Sequence, residues 1–132
     1  MVGVRTPRGP TRLLYHNGDG ETSRDFCYID NCVQANLLAA TVTDELATDQ
    51  VYNVAFGQRT TLNELYRMIR ERVAVEHPAC RGKEPIYRDF RAGDVRHSLA
   101  DISKSEKLLG YAPEYSVSTG LDEAAKWYLE NR

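Results

Sequence analysis

Gly18-Asp19-Gly20-Glu21-Thr22-Ser23-Arg24-Asp25-Phe26-Cys27-Tyr28-Ile29-Asp30 runs from a turn through a strand to the start of a helix. The turn is Asn17-Gly18-Asp19-Gly20, made of residue types that tolerate a left-handed backbone. Asp25 to Ile29 is rich in aromatic and branched side chains and predicts a short strand. Asp30 stands at the expected N-cap of a helix reaching about Glu45. Val33, Leu37, Leu38 and Thr41 fall on one face of that helix. A strand passing directly into a helix indicates a mixed class, α+β or α/β.

The flanking sequence agrees. Upstream, residues 12–16 (RLLYH) suit a short strand, and residues 1–11 form a Pro/Gly/Arg-rich irregular lead-in. Downstream, the apolar run Val51–Phe56 predicts a buried strand. Thr61-Leu62-Asn63-Glu64 has the form of a capping box. The helix it opens carries Leu62, Leu65, Tyr66, Ile69 and Val73 on one stripe and should end near Glu76. Glu84 to Phe90, entered through Pro85, predicts an edge strand. Asp101 should cap a short helix that Gly110 ends, with Pro113 beyond. Ser118 or Thr119 should open a last helix with Leu121, Ala124, Ala125, Tyr128 and Leu129 on its apolar face. The expectation is about four helices interleaved with short strands, in a single domain over 12–132.

At 132 residues the chain fits one domain and is about half a (β/α)₈ barrel. Seventeen basic against nineteen acidic residues leave −2, which argues against nucleic acid as a main partner. No apolar stretch approaches a membrane span, and no secretory h-region opens the chain. Cys27, Cys32 and Cys80 are odd in number and form no CxxC pair, which suits reduced thiols in a cytoplasmic protein.

Several chemistries lack their residues. There is no GxGxxG, no GxSxG, and no tyrosine followed four residues later by lysine. His16, His77 and His97 lie far apart and away from cysteines at metal-ligand spacing, so no metal site is expected. Two basic-acidic groups remain: Ser23-Arg24-Asp25 and Arg91-Ala92-Gly93-Asp94, each with an arginine at a strand end. Two converging guanidinium groups suit a diphosphate, and a carboxylate such as Asp94 suits ribose hydroxyls. Surface ion pairs, Arg24 to Asp25 or Arg91 to Asp94, are the plainer alternative.

Arg24-Asp25-Phe26-Cys27-Tyr28-Ile29-Asp30 resembles the R-D-F-x-Y-(I/V)-D segment of extended short-chain dehydrogenase/reductases. More narrowly it resembles bacterial UDP-N-acetylglucosamine 4-epimerases. The similarity continues in order through Val51-Tyr52-Asn53-Val54, Tyr87–Ser98, Ala100–Lys104, Leu109–Pro113 and Gly120–Tyr128. The resemblance implies that Arg24 and Arg91 bind the UDP diphosphate and that Asp94 holds the ribose. The parent family uses NAD and a Tyr-x-x-x-Lys pair, both in an N-terminal part that this sequence lacks.

The expectation is therefore a truncated UDP-sugar-binding domain that binds weakly, has no cofactor or catalytic residue of its own, and is not catalytic alone. A subunit completing an epimerase with a separate NAD-binding chain is one alternative. A ligand-free self-associating module is another. The face around Val33, Leu37 and Leu38, packed on the NAD-binding part in the family, should here drive homo-oligomerisation.

Overall fold

The computed structural model describes residues 14–131. The lead-in expected for residues 1–11 lies outside them. Four helices and four short strands follow in mixed order. They are β1 (Tyr15–Asn17), β2 (Ser23–Arg24), α1 (Ile29–Thr41), β3 (Thr60–Thr61), α2 (Leu62–Glu76), β4 (Ile86–Arg88), α3 (Ser103–Leu109) and α4 (Val117–Glu130). A single 3₁₀ turn, Pro78–Cys80, follows α2.

The strands form two separate pairs. β1 runs parallel to β4, with His16 opposite Tyr87, and β2 runs antiparallel to β3, with Ser23 opposite Thr61. The strand expected over Glu84–Phe90 is thus confined to Ile86–Arg88. Residues 25–28 form no strand, because Asp25 turns its carboxylate onto a neighbouring loop: Phe56 N and Gly57 N donate to it at 3.1 Å each, and Ala100 N at 3.4 Å.

The expected strand at Val51–Phe56 is also absent. Val51 is 86% exposed, and only Ala55 of the run is buried. Side chains satisfy its carbonyls in place of a paired strand: Ser105 Oγ donates to Asn53 O at 3.0 Å and Tyr111 Oη to Ala55 O at 2.8 Å. The core lies here, where Ala35, Ala55, Ile102 and Tyr111 cluster with Leu38, Val54 and Ala100 against them.

Helix boundaries follow their caps. At α2 the capping box forms as read: Glu64 N donates to Thr61 Oγ1, and Thr61 N donates to Glu64 Oε2. Gly110 ends α3 at φ 69°, a left-handed cap that glycine adopts without strain. Asp101 Oδ1 accepts from Ser103 N at 3.0 Å, two residues on.

Three starts differ from expectation. The N-cap of α3 is Ile102, with no side-chain cap, rather than Asp101. The N-cap of α1 is Tyr28, so Asp30 sits inside the first turn, and the helix stops at Thr41 rather than near Glu45. The N-cap of α4 is Ser116, whose hydroxyl accepts from Thr119 N. The expected face of α1 divides. Leu38 packs on the core, whereas Val33 and Leu37 are exposed with Ile29.

α4 lies against α2. Ile69 and Val73 of α2 meet Leu121, Ala124, Ala125, Tyr128 and Leu129 along an apolar groove. Arg72 closes one end, donating from Nε to Asp122 and from Nη2 to the Ser118 carbonyl. Asn31, almost fully buried, ties the start of α1 to the loop ahead of α4: its Nδ2 donates to Tyr115 O at 2.7 Å, and its Oδ1 accepts from Glu114 N and Tyr115 N.

Candidate functional site

Arg24 is the last residue of β2, and Arg91 and Asp94 lie in the exposed loop after β4. All three line one open cavity of about 340 Å³. Tyr15, His16 and Asn17 of β1, together with Thr22 and Leu62, complete its wall. The parallel pairing of β1 with β4 delivers the Arg91–Asp94 loop to the same end as β2.

The ion-pair alternative does not form. Asp25 binds backbone N–H groups, and no salt bridge between Arg24 and Asp25 or between Arg91 and Asp94 occurs among the described residues. Arg24 Nη1 donates to Ser23 O at 2.8 Å and to Arg96 O at 3.5 Å, which fixes one edge of the guanidinium. The Arg91 and Asp94 side chains are held by no hydrogen bond among the described residues; the backbone turns between them, with Asp94 N donating to Arg91 O at 3.3 Å and Gly93 at φ 83°. Two guanidinium groups around one cavity can take an anion with two phosphate groups, and a carboxylate beside them can accept from vicinal hydroxyls.

The frame around the cavity is charged and stacked. Arg96 donates to Asp19 at 2.7 Å, and this bond holds the Asp19 carboxyl below the ordinary carboxylate range. The Arg88 guanidinium lies 3.4 Å over the Tyr15 ring. Phe90 packs over Gly18, where a Cβ would come within 2.4 Å of the ring. Ser23, 4% exposed, meets His97 Nδ1 at 2.9 Å.

Sequence reading did not single out Tyr15, His16, Asn17 or Leu62 for this wall. Only the Asn17-Gly18-Asp19-Gly20 turn pointed toward them. The three histidines do not converge, and no group of three or more His, Cys, Asp or Glu among the described residues could hold a metal ion. Cys27 and Cys32 are in contact, with sulfurs 3.4 Å apart. No described helix is long and apolar enough to cross a membrane.

The sequence profile of the GDP-mannose 4,6 dehydratase family matches residues 4–124. A dTDP-L-rhamnose 4-epimerase of Burkholderia thailandensis is 32% identical over 112 residues, which cover 85% of this chain and 29% of that protein. The crystal structure of UDP-glucose 4-epimerase with UDP-glucose from Thermotoga maritima superposes with a TM-score of 0.77 at 35% identity, covering 89% of this chain and 35% of that one. A UDP-N-acetylglucosamine 4-epimerase from Methanobrevibacter ruminantium, in complex with UDP-N-acetylmuramic acid, gives 0.76 at 33% identity, covering 91% and 36%. The chain spans about a third of the length of these proteins.

Proposed function

The chain belongs to the GDP-mannose 4,6 dehydratase family, and from that premise we propose that its cavity binds the UDP part of a nucleotide sugar. Arg24 and Arg91 take the diphosphate from two sides, and Asp94 accepts from the ribose hydroxyls. One observation carries this reading: three side chains from two distant segments line the same cavity, with no ion pair between them. Similar structures with UDP-glucose and UDP-N-acetylmuramic acid support the ligand class.

NAD does not fit the residues present. Gly18 and Gly20 close onto the chain's own Phe90 and Asn63, Gly57, Gly93 and Gly110 adopt left-handed φ values with no GxGxxG spacing, and Gly120 packs on Tyr28 inside α4. No hydride step is therefore assigned to this chain. A nucleotide-sugar 4-epimerase that included it would need its NAD-binding part from elsewhere.

Titration of isotope-labelled protein with UDP tests the assignment. Shifts are expected at Arg24, Arg91, Asp94 and the β1 wall, and R24A or R91A should each weaken binding about tenfold or more, as loss of a charge-assisted contact does. Absence of shifts at millimolar UDP sinks the reading.

The exposed stripe of α1 favours an accompanying role in self-association. Ile29 and Leu37 are each 62% exposed and Val33 is 47% exposed, one helical turn apart. Covering what remains exposed of them would contribute roughly 1–2 kcal/mol per side chain. Leu38 takes no part in this face, because it serves the core.

A further inference from the structure

The two arginine arms stand on separate segments, and the loop carrying Arg91 and Asp94 lies in a stretch exposed from residue 86 to residue 99. What holds that loop in register is its exit. Arg96, His97 and Ser98 run alongside β2 and meet it at one residue, Ser23. Ser23 N donates to Arg96 O at 2.9 Å, and Ser98 N donates to Ser23 O at 3.1 Å. The one side chain–side chain bond between Ser23 and residues 96–98 among the described residues is Ser23 Oγ with His97 Nδ1, at 2.9 Å, joining a buried hydroxyl to an exposed imidazole.

Arg24 depends on the same junction, because its Nη1 donates to the carbonyls of Ser23 and Arg96. A shift of the 96–98 segment would therefore move an acceptor of Arg24 and the base of the Arg91 loop together. The backbone bonds can form with any residue types, whereas the hydroxyl–imidazole bond needs these two side chains. Removing the imidazole would take away the one side-chain tie between Ser23 and residues 96–98, leaving Ser23 joined to that exposed segment by backbone bonds alone.

We propose that the Ser23–His97 hydrogen bond is a positioning link that sets the spacing of the two arginine arms on the ligand's diphosphate. This rests on the UDP-binding reading above. His97 itself touches no ligand in this scheme; it acts through Arg24 and Arg91.

The test measures affinity for UDP and for UMP, which has a single phosphate, by calorimetric or NMR titration of the full chain. H97A and S23A should each weaken UDP about threefold to tenfold, the range of one lost hydrogen bond. UMP, which does not need two spaced arms, should change less than about twofold on the same scale. The double variant S23A/H97A should be no weaker than either single variant, as coupled partners require. H97N, whose side-chain amide reaches the Nδ1 position, should restore most of the loss.

If wild type binds UDP and both single variants bind it equally well, the link has no positioning role. Equal losses for UDP and UMP would show a general structural effect and also overturn it. Failure of the wild type to bind UDP overturns the underlying functional reading, and this proposal with it. If H97A does not fold, S23A and H97N carry the comparison, since each retains a side chain of similar size.

Discussion

Tyr111 is 2% exposed, yet it is polar, and its hydroxyl donates to Ala55 O while meeting Cys27 Sγ at 3.9 Å. Burial first, then the hydrogen bond with Cys32, pushes the Cys27 thiol up to about 11 from its ordinary 9.0. Burial first, then the bond with Cys27, raises Tyr111 as well. Both groups keep their protons in the folded state at pH values where an unfolded chain gives them up. For Cys27 that contribution is fully present below about pH 9 and is lost as the pH climbs toward about 11; for Tyr111 it is fully present below about pH 10 and is lost at still higher pH. Urea midpoints should be level at mildly alkaline pH and fall above about pH 9, with a shallower fall in C27A. An identical fall in C27A would show that this thiol does not carry the effect. None of this was visible in sequence, where Cys27 read only as one of three reduced thiols; its neighbours come from α1 and from the loop after α3.

At the scale of elements, local signals worked where the partners are near in sequence. The Thr61–Glu64 box and the Gly110 cap formed as read because each satisfies backbone groups within a few residues. The signals failed at Val51–Phe56, where an apolar run suggested a strand but no strand among the described residues pairs with it. The junction of α4 shows a further limit. Gly120 lies in the first turn of α4, where helix propensity favours alanine by up to about 1 kcal/mol. A Cβ there would approach the Tyr28 Cβ and ring to 2.8 Å, and overpacking costs about 1–3 kcal/mol. The clash should win, because Tyr28 is held at the N-cap of α1 and cannot swing aside without moving that helix. G120A is therefore expected to lose about 1–2 kcal/mol in urea denaturation. A gain would mean that helix propensity dominates and that the α1–α4 junction is loose.

For the whole molecule, the balance of apolar burial is uneven. The core around Tyr111 is closed by packing, while Ile29, Val33 and Leu37 face outward along α1 and the α2–α4 groove leaves Ile69 and Tyr128 exposed. Total stability of a domain this size is about 5–15 kcal/mol, so three such side chains left in water matter. Sedimentation at tens of micromolar should show a dimer or larger species that V33D/L37D returns to monomer without loss of helix content. A wild-type chain that stays strictly monomeric would remove the self-association reading. UDP binding is a separate property of the cavity lined by Arg24, Arg91 and Asp94 and should survive in V33D/L37D, because no residue of that stripe lines it.

Sequence alone determined the mixed class, the bodies of the four helices, most of their stop signals and the motifs shared with the epimerases. Those features depend on residue types spaced within a turn or two, so the local chain carries them. Tertiary structure decided what the motifs amount to. It paired β1 with β4 in parallel, drew Asp25 away from Arg24 onto three backbone N–H groups, and set Arg91 and Asp94 beside Arg24 on one cavity. It also sent Leu38 inward and left Val33 outward on a helix face that looked uniform. These outcomes turn on which distant groups share a buried boundary, and that is set by the packing of the whole chain rather than by any segment of it.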